Sequence, residues 1–167
     1  RLYRLGDFPY FPTSAYPWVG AGSGALKGLY TDEYGYYVHA VDVTSHLSLT
    51  FYQPWLQLLS IGASVSIFGS NTFAVRLPSA IFSSISIVLV YVICIKKFKS
   101  RLAALLSSLY LIVMVPALIM NRMAFLENGV APFFLASYYC LLKYSEQKQE
   151  RWVMVSAIFA GLSVPVS

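Results

Sequence analysis

The stretch LAALLSSLYLIVMVPALIM, Leu102 to Met120, decides how the rest of the chain is read. It holds 19 consecutive residues without a charge. About 18 or more such residues match the hydrocarbon thickness of a bilayer when coiled as a helix. Working outward, Pro78 to Ile95 is a second charge-free run of span length, Asn128 to Leu142 a shorter third, and Trp152 to Ser167 a fourth. In hydrocarbon every backbone polar group needs an internal partner, so such runs are expected to be helices, with Pro116 and Pro132 tolerated inside them. The expected fold class is all-α, a polytopic transmembrane helical protein with about four spans.

Composition agrees. The chain is 57% hydrophobic and 11% charged, against roughly 45–50% and about 25% for a soluble domain. Its formal charge of +5 does not indicate nucleic acid. Lys96, Lys97, Lys99 and Arg101 separate two apolar runs, and Lys143, Lys148 and Arg151 separate two more. Basic loops between spans are the positive-inside pattern, whereas a nucleic-acid stripe has no need of lipid-length flanks. Cys94 and Cys140 lie in apolar runs without CxxC spacing and are expected to be buried thiols. The chain opens on Arg1 without a signal-peptide pattern and stops within an apolar run, so we expect a segment of a longer protein.

Phe51 to Phe68 is a fifth apolar stretch, carrying Gln53, Gln57 and Pro54. Residues 31–50 lack Lys and Arg and belong outside, whereas the Lys96–Arg101 loop belongs inside. An odd number of crossings must separate them. Pro78–Ile95 supplies one, which leaves Phe51–Phe68 as a helix at the membrane surface. The expected division is therefore an external region over residues 1–75 and an incomplete transmembrane region over 76–167. Gly20, Gly22 and Gly24 make residues 19–28 loop-like.

The polar groups not explained by topology collect on the external side. Asp32 and Glu33 are adjacent and framed by Tyr30, Tyr34, Tyr36 and Tyr37. A helix starting near Thr31, with Thr31 as N-cap, has its acids in the favoured first turn. It puts Asp32, His39, Asp42 and His46 on one face. That face reads either as the polar side of an interfacial helix or as ligands for a divalent ion. In the turn Asn121 to Asn128, Arg122 and Glu127 sit at a membrane edge, where ionisable groups are costly and are functional candidates. Their plain reading is a snorkelling Arg and a helix-capping Glu. Arg76 has the same two readings, and Pro78 suits the first turn of a helix.

Asp32-Glu33, then Gln53-Pro54-Trp55, then IFGSNTFAVRLPSA from Ile67 to Ala80 follow one another in order. This succession resembles the polyprenyl-phosphate-sugar-dependent membrane glycosyltransferases of the GT-C class, which include the protein O-mannosyltransferases and the aminoarabinose transferases that modify lipid A. The Phe-Gly-x-x-x-Phe-Ala-x-Arg-Leu-Pro-Ser-Ala portion is the most specific match, and the resemblance covers about residues 30–165. It implies surface helices in a first external loop and an inverting transfer of a sugar from a dolichyl or undecaprenyl phosphate to an acceptor protein, lipid or glycan. It also implies an integral membrane location, in the plasma membrane or, in a eukaryote, the endoplasmic reticulum. Asp32 is then the base, Glu33 holds the acceptor or positions Asp32, Arg122 and Arg76 receive the donor phosphate, and Glu127, His39 and Asp42 support them. No cofactor is required, and the segment by itself is expected to be inactive. The chain's departures are an Arg1–Leu29 stretch matching nothing in that family and histidines that are not its hallmarks. A transporter segment and a non-catalytic membrane subunit are the alternatives.

Overall fold

A computed structural model describes Leu5, Leu29 and residues 31–46, 55–125 and 127–163. The loop expected over 19–28 (apart from Leu29 beyond it), the start of the fifth apolar stretch at 51–54 and residues 164–167 of the last span lie outside the described residues. So do the side chains of Thr31 and His46. Among the described residues the chain is helical, with no strand. Two helices, α1 (Thr31–His46) and α2 (Trp55–Phe68), precede five longer or shorter apolar ones. These are α3 (Thr72–Phe98), α4 (Arg101–Val113), α5 (Val115–Met120), α6 (Glu127–Gln147) and α7 (Arg151–Ser163).

The turn into α3 is set by two residues. Gly69 has φ +80°, a conformation without penalty only for glycine, and its N–H returns to the Val65 carbonyl at 2.8 Å, closing α2. Asn71 then caps α3, its side-chain oxygen accepting from Ala74 N–H at 2.8 Å. Because that cap acts upstream, α3 begins at Thr72, and Pro78 lies inside the helix rather than in its first turn. The helix also runs without a break across residues 75 and 76.

At 27 residues α3 is about 40 Å long. Among the described residues it is the one helix long and apolar enough to cross a membrane. The run from Leu102 to Met120 is not one helix. It breaks at Met114, where ψ is 110°, into α4 of 13 residues and α5 of 6. Pro116 explains the break: it has no N–H for the Ile112 carbonyl, and its ring crowds that carbonyl. The third run is longer than the apolar residues alone indicate, since α6 takes in Glu127 and continues to Gln147 for 21 residues with Pro132 inside. α2, at 14 residues, spans only about 21 Å.

The helices pack with small and hydroxylated side chains inward and large apolar ones outward. α4 buries Ala104 and Ser108 while Leu102, Leu105, Leu106, Leu109 and Val113 are each more than half exposed. α3 buries Ser79, Ala80 and Ser83. α6 meets α7 through Ser137 and Ser156, whose hydroxyls lie 2.9 Å apart. Phe82, Phe133 and Phe159 join α3, α6 and α7 in a ring series with centroids 5.8 and 6.5 Å apart. A water-soluble bundle has the opposite arrangement, whereas small residues at helix contacts are what lipid-embedded helices use. Cys94 and Cys140 are buried free thiols.

Among the described residues, a conventional apolar core sits where α1, α2 and the start of α3 meet. Leu29, Ala40, Leu58, Ile61, Val65, Ala74, Val75 and Ala124 form it. α1 crosses α2 closely enough that a Cβ on Gly62 would lie 2.1 Å from Thr44 Cγ2 and 2.8 Å from the Ala40 carbonyl. α2 meets α6 at Gly129, where a Cβ would come within 2.8 Å of Gln57 Oε1. Gln57 is fully buried and donates to Ser79 Oγ at 2.8 Å, tying α2 to α3.

Candidate functional site

α1 begins at Thr31, so Asp32 and Glu33 occupy its first turn, where the helix dipole favours negative charge. Adjacent residues on a helix point about 100° apart. Glu33 falls on the buried face with Ala40, while Asp32 falls on the exposed side with Asp42. The acidic pair is thereby divided into one buried and one solvent-facing carboxylate.

Glu33 reaches Arg76, which α3 presents one turn after its cap. Arg76 Nε donates to Glu33 Oε1 and Nη2 to Oε2, both at 2.8 Å, and both side chains are fully buried. Arg76 Nη1 also points at the Leu5 carbonyl, 3.5 Å away. Glu33 Oε1 accepts a third bond, from Ala124 N–H at 2.8 Å. The planar fork matches the carboxylate geometry, and the backbone uses the second lone pair of Oε1. This satisfies what a buried ion pair needs to offset its desolvation.

That third bond anchors the 121–125 turn. Asn128, at the start of α6, holds it from the other side, its Nδ2 donating to the Met120 and Met123 carbonyls at 2.9 Å each. Arg122 lies in the clamped turn and is 8% exposed. Burial, and after it the charge of nearby Arg76, pull its guanidinium pKa down from the ordinary value. It stays a cation at physiological pH.

Glu127 opens α6 with its side chain exposed. Tyr36, half-buried one turn beyond Asp32, lies within the electrostatic reach of both acids. Burial raises the Tyr36 hydroxyl pKa above its ordinary value, and the Glu127 and Asp32 carboxylates raise it further. Asp32, Tyr36 and Glu127 therefore share one electrostatic neighbourhood, with the phenol kept protonated.

The structure thus brings Glu33, Arg76 and Arg122 together below the surface, and Asp32 and Glu127 around Tyr36 above it. His39 is half-buried and Asp42 exposed, two turns and nearly three turns further along α1 than Asp32. Among the described residues no three His, Cys, Asp or Glu side chains converge as metal ligands. Tyr36, Asn128 and the Ala124 N–H are contributors that spacing does not disclose. The tyrosine cluster around Asp32 was the visible signal for Tyr36, and the other two had none. An apolar cleft of about 420 Å³ opens beside the turn, between α3, α4–α5 and α6, with Asn121 and Asn128 among its lining and Ile87, Val90, Leu111 and Phe134 along its wall.

Residues 52–166 match the dolichyl-phosphate-mannose-protein mannosyltransferase family. The match takes in most of the chain, which belongs to that family, a family of membrane glycosyltransferases. No curated protein and no solved structure matches the chain.

Proposed function

Starting from that family membership, we propose that the chain is the N-terminal part of a GT-C type enzyme that transfers a sugar from a polyprenyl phosphate to an acceptor hydroxyl. In this reading α3, α4–α5, α6 and α7 are membrane crossings. α1 and α2 lie on the outer face, and the chain is multi-pass.

Asp32 is the general base. Its carboxylate takes the acceptor hydroxyl's proton as that oxygen attacks the sugar's C1. The bond from C1 to the phosphate oxygen breaks on the opposite side, so the configuration inverts and the lipid phosphate leaves as an anion. General-base assistance contributes about 10²–10⁴-fold. Arg122 receives the leaving phosphate, since a guanidinium suits phosphate geometry and charge developing there is what fixed cations stabilise best. The apolar cleft beside Arg122 suits the first isoprene units of the donor. Glu33 and Arg76 position the site: with both fork nitrogens on Glu33, Arg76 holds the first turn of α1 against the Arg122 turn. Glu127 and Tyr36 orient groups around Asp32. Half-buried His39 and exposed Asp42 lie further along α1 and contact the acceptor. The mechanism uses no metal.

The observation that carries this reading is the divided acidic pair: Glu33 is locked between Arg76 and Ala124, while Asp32 on the next residue faces solvent. The test is transfer of labelled sugar in membranes carrying the full-length protein, with dolichyl and undecaprenyl carriers and several sugars. Transfer from at least one donor is expected. No transfer from any of them points instead to a non-catalytic membrane subunit.

A further inference from the structure

The net charge of the chain sits in one place. The α3–α4 connection carries Lys96, Lys97, Lys99 and Arg101, and the α6–α7 connection carries Lys143, Lys148 and Arg151. Two acids, Glu146 and Glu150, accompany these seven bases, and the chain's other five basic and five acidic residues cancel. The whole formal charge of +5 therefore belongs to these two connections. They are also neighbours in space, because Lys96 pairs with Glu146 across the gap between α3 and α6.

The basic side chains are organised over aromatic rings. Lys96 and Lys143 approach the Tyr139 ring at 5.6 and 6.0 Å from its centroid, and Lys143 and Arg151 approach Trp152 at 5.6 and 5.7 Å. Trp152 is held by its indole N–H, which donates to Gln147 Oε1 at 2.8 Å. Aromatic rings of this kind mark the level of lipid headgroups. The level is right on length as well: Lys96 is 20 residues beyond Arg76 on α3, about 30 Å along the axis, which is the hydrocarbon thickness of a bilayer.

Two lysines hold backbone positions that favour glycine. Lys99 and Lys148 end α3 and α6 at φ 50° and 53°, and each returns its N–H to the carbonyl four residues back. A left-handed helix terminus ordinarily takes Gly. Both places carry instead a side chain that adds to the basic surface.

We propose that these two connections form a binding site for the phosphate headgroup of an acidic membrane phospholipid, floored by Tyr139 and Trp152 and ringed by the lysines. The site rests on the chain spanning a membrane and is independent of the transfer reaction. It lies at the end of the bundle opposite the Glu33–Arg76 pair, and it fixes α3, α6 and α7 against the bilayer by their charged ends.

The test uses the full-length protein, stripped of lipid in a neutral detergent. Native mass spectrometry would follow retention of dioleoyl phosphatidylglycerol and dioleoyl phosphatidylcholine, for the parent and for Lys99→Gly/Lys148→Gly. The parent is expected to hold phosphatidylglycerol at least about tenfold more tightly than phosphatidylcholine. The double variant is expected to lose most of that preference while its lipid-free melting temperature stays level or rises, because glycine relieves both backbone positions. That pair of results separates loss of a binding site from loss of fold. Equal retention of the two lipids would overturn the proposal, as would a variant with unchanged preference. Displacement of phosphatidylglycerol by an equal concentration of inorganic phosphate would assign the site to a soluble anion and overturn the lipid reading.

Discussion

Arg76 places Nε and Nη2 on the two oxygens of Glu33, each at 2.8 Å, and neither side chain is exposed to solvent. The two residues are 43 positions apart, so the contact closes α1 onto the start of α3. Glu33 Oε1 also takes the Ala124 N–H, which brings the Arg122 turn into the same joint. One carboxylate thus holds three segments together, and its neighbour Asp32 is left facing outward on a fixed backbone.

Removing one member of such a pair strands the other charge in a buried site, at a cost of about 3–5 kcal/mol. Glu33→Gln and Arg76→Gln are each expected to lower the melting temperature of the full-length protein sharply. Arg76→Lys is expected to rescue little, since an ammonium cannot engage both oxygens in the plane. The Glu33→Gln/Arg76→Met double variant is expected to regain a good part of the stability. A double variant as unstable as the sum of the singles would show that the two do not act as a pair.

Packing gives a second prediction. Gly62→Ala forces a methyl group against the Ala40 carbonyl and Thr44 Cγ2, and Gly129→Ala forces one against Gln57. Overpacking of this kind costs about 1–3 kcal/mol. Gly62→Ala is expected to be the worse, because one of its obstacles is backbone, whereas Gln57 can shift. Thermal denaturation of both variants checks the order.

The expected spans were visible as apolar runs, but their ends were not. Asn71 was in view, yet Pro78 drew the expected start of α3 inward, because proline is at home in a first turn and the cap seven residues upstream has no apolar pattern of its own. Hydropathy places Pro116 within one continuous span, although the helix breaks two residues before it. A missing donor and a crowded carbonyl are local effects that hydropathy does not record. Within the candidate site, Arg76, Arg122 and Glu127 were legible as candidates because charged residues beside lipid-length runs stand out, and Asp32 and Glu33 because they form an adjacent acidic pair framed by tyrosines. What they do to one another was not. Arg76 read as a cation at a membrane edge, and only tertiary closure puts it on Glu33. The clamp from Asn128 and the Ala124 N–H carries no sequence signal, since backbone donors are present at nearly every residue.

Arg122 is proposed to meet the donor phosphate, so its loss should act on donor binding and on the leaving step. Arg122→Lys keeps the charge and loses the planar donors. It is expected to raise the donor KM and lower kcat/KM by roughly tenfold to a hundredfold, with Arg122→Gln worse, on the scale of removing one stabilising donor. Steady-state kinetics against donor concentration would check this. Unchanged donor kinetics in Arg122→Gln would place the phosphate elsewhere.

The Lys96–Glu146 pair gives a pH-dependent prediction. The hydrogen bond from Lys96, with the charges of Lys96, Lys143 and Lys99 behind it, holds the Glu146 carboxyl below its ordinary range, against the smaller opposing effect of desolvation. A carboxyl depressed in the folded state adds stability above its unfolded pKa of about 4.3. That contribution is lost as pH falls through the lower folded value. Between pH 6 and 3 the parent is expected to lose slightly more stability than Lys96→Gln, in which the depression is largely relieved. Both glutamate and lysine are partly exposed, so the difference is small and salt-sensitive. Parallel acid slopes for the two proteins at low ionic strength would contradict it.

The central claim is that Asp32, and not the buried Glu33, removes the acceptor proton. It is tested most directly by sugar transfer from a polyprenyl-phosphate donor in membranes carrying the full-length protein or its Asp32→Asn variant at matched abundance. The account predicts a loss of about a hundredfold or more in Asp32→Asn, with melting temperature and donor KM close to the parent's. Transfer by Asp32→Asn at the parent's rate would contradict it.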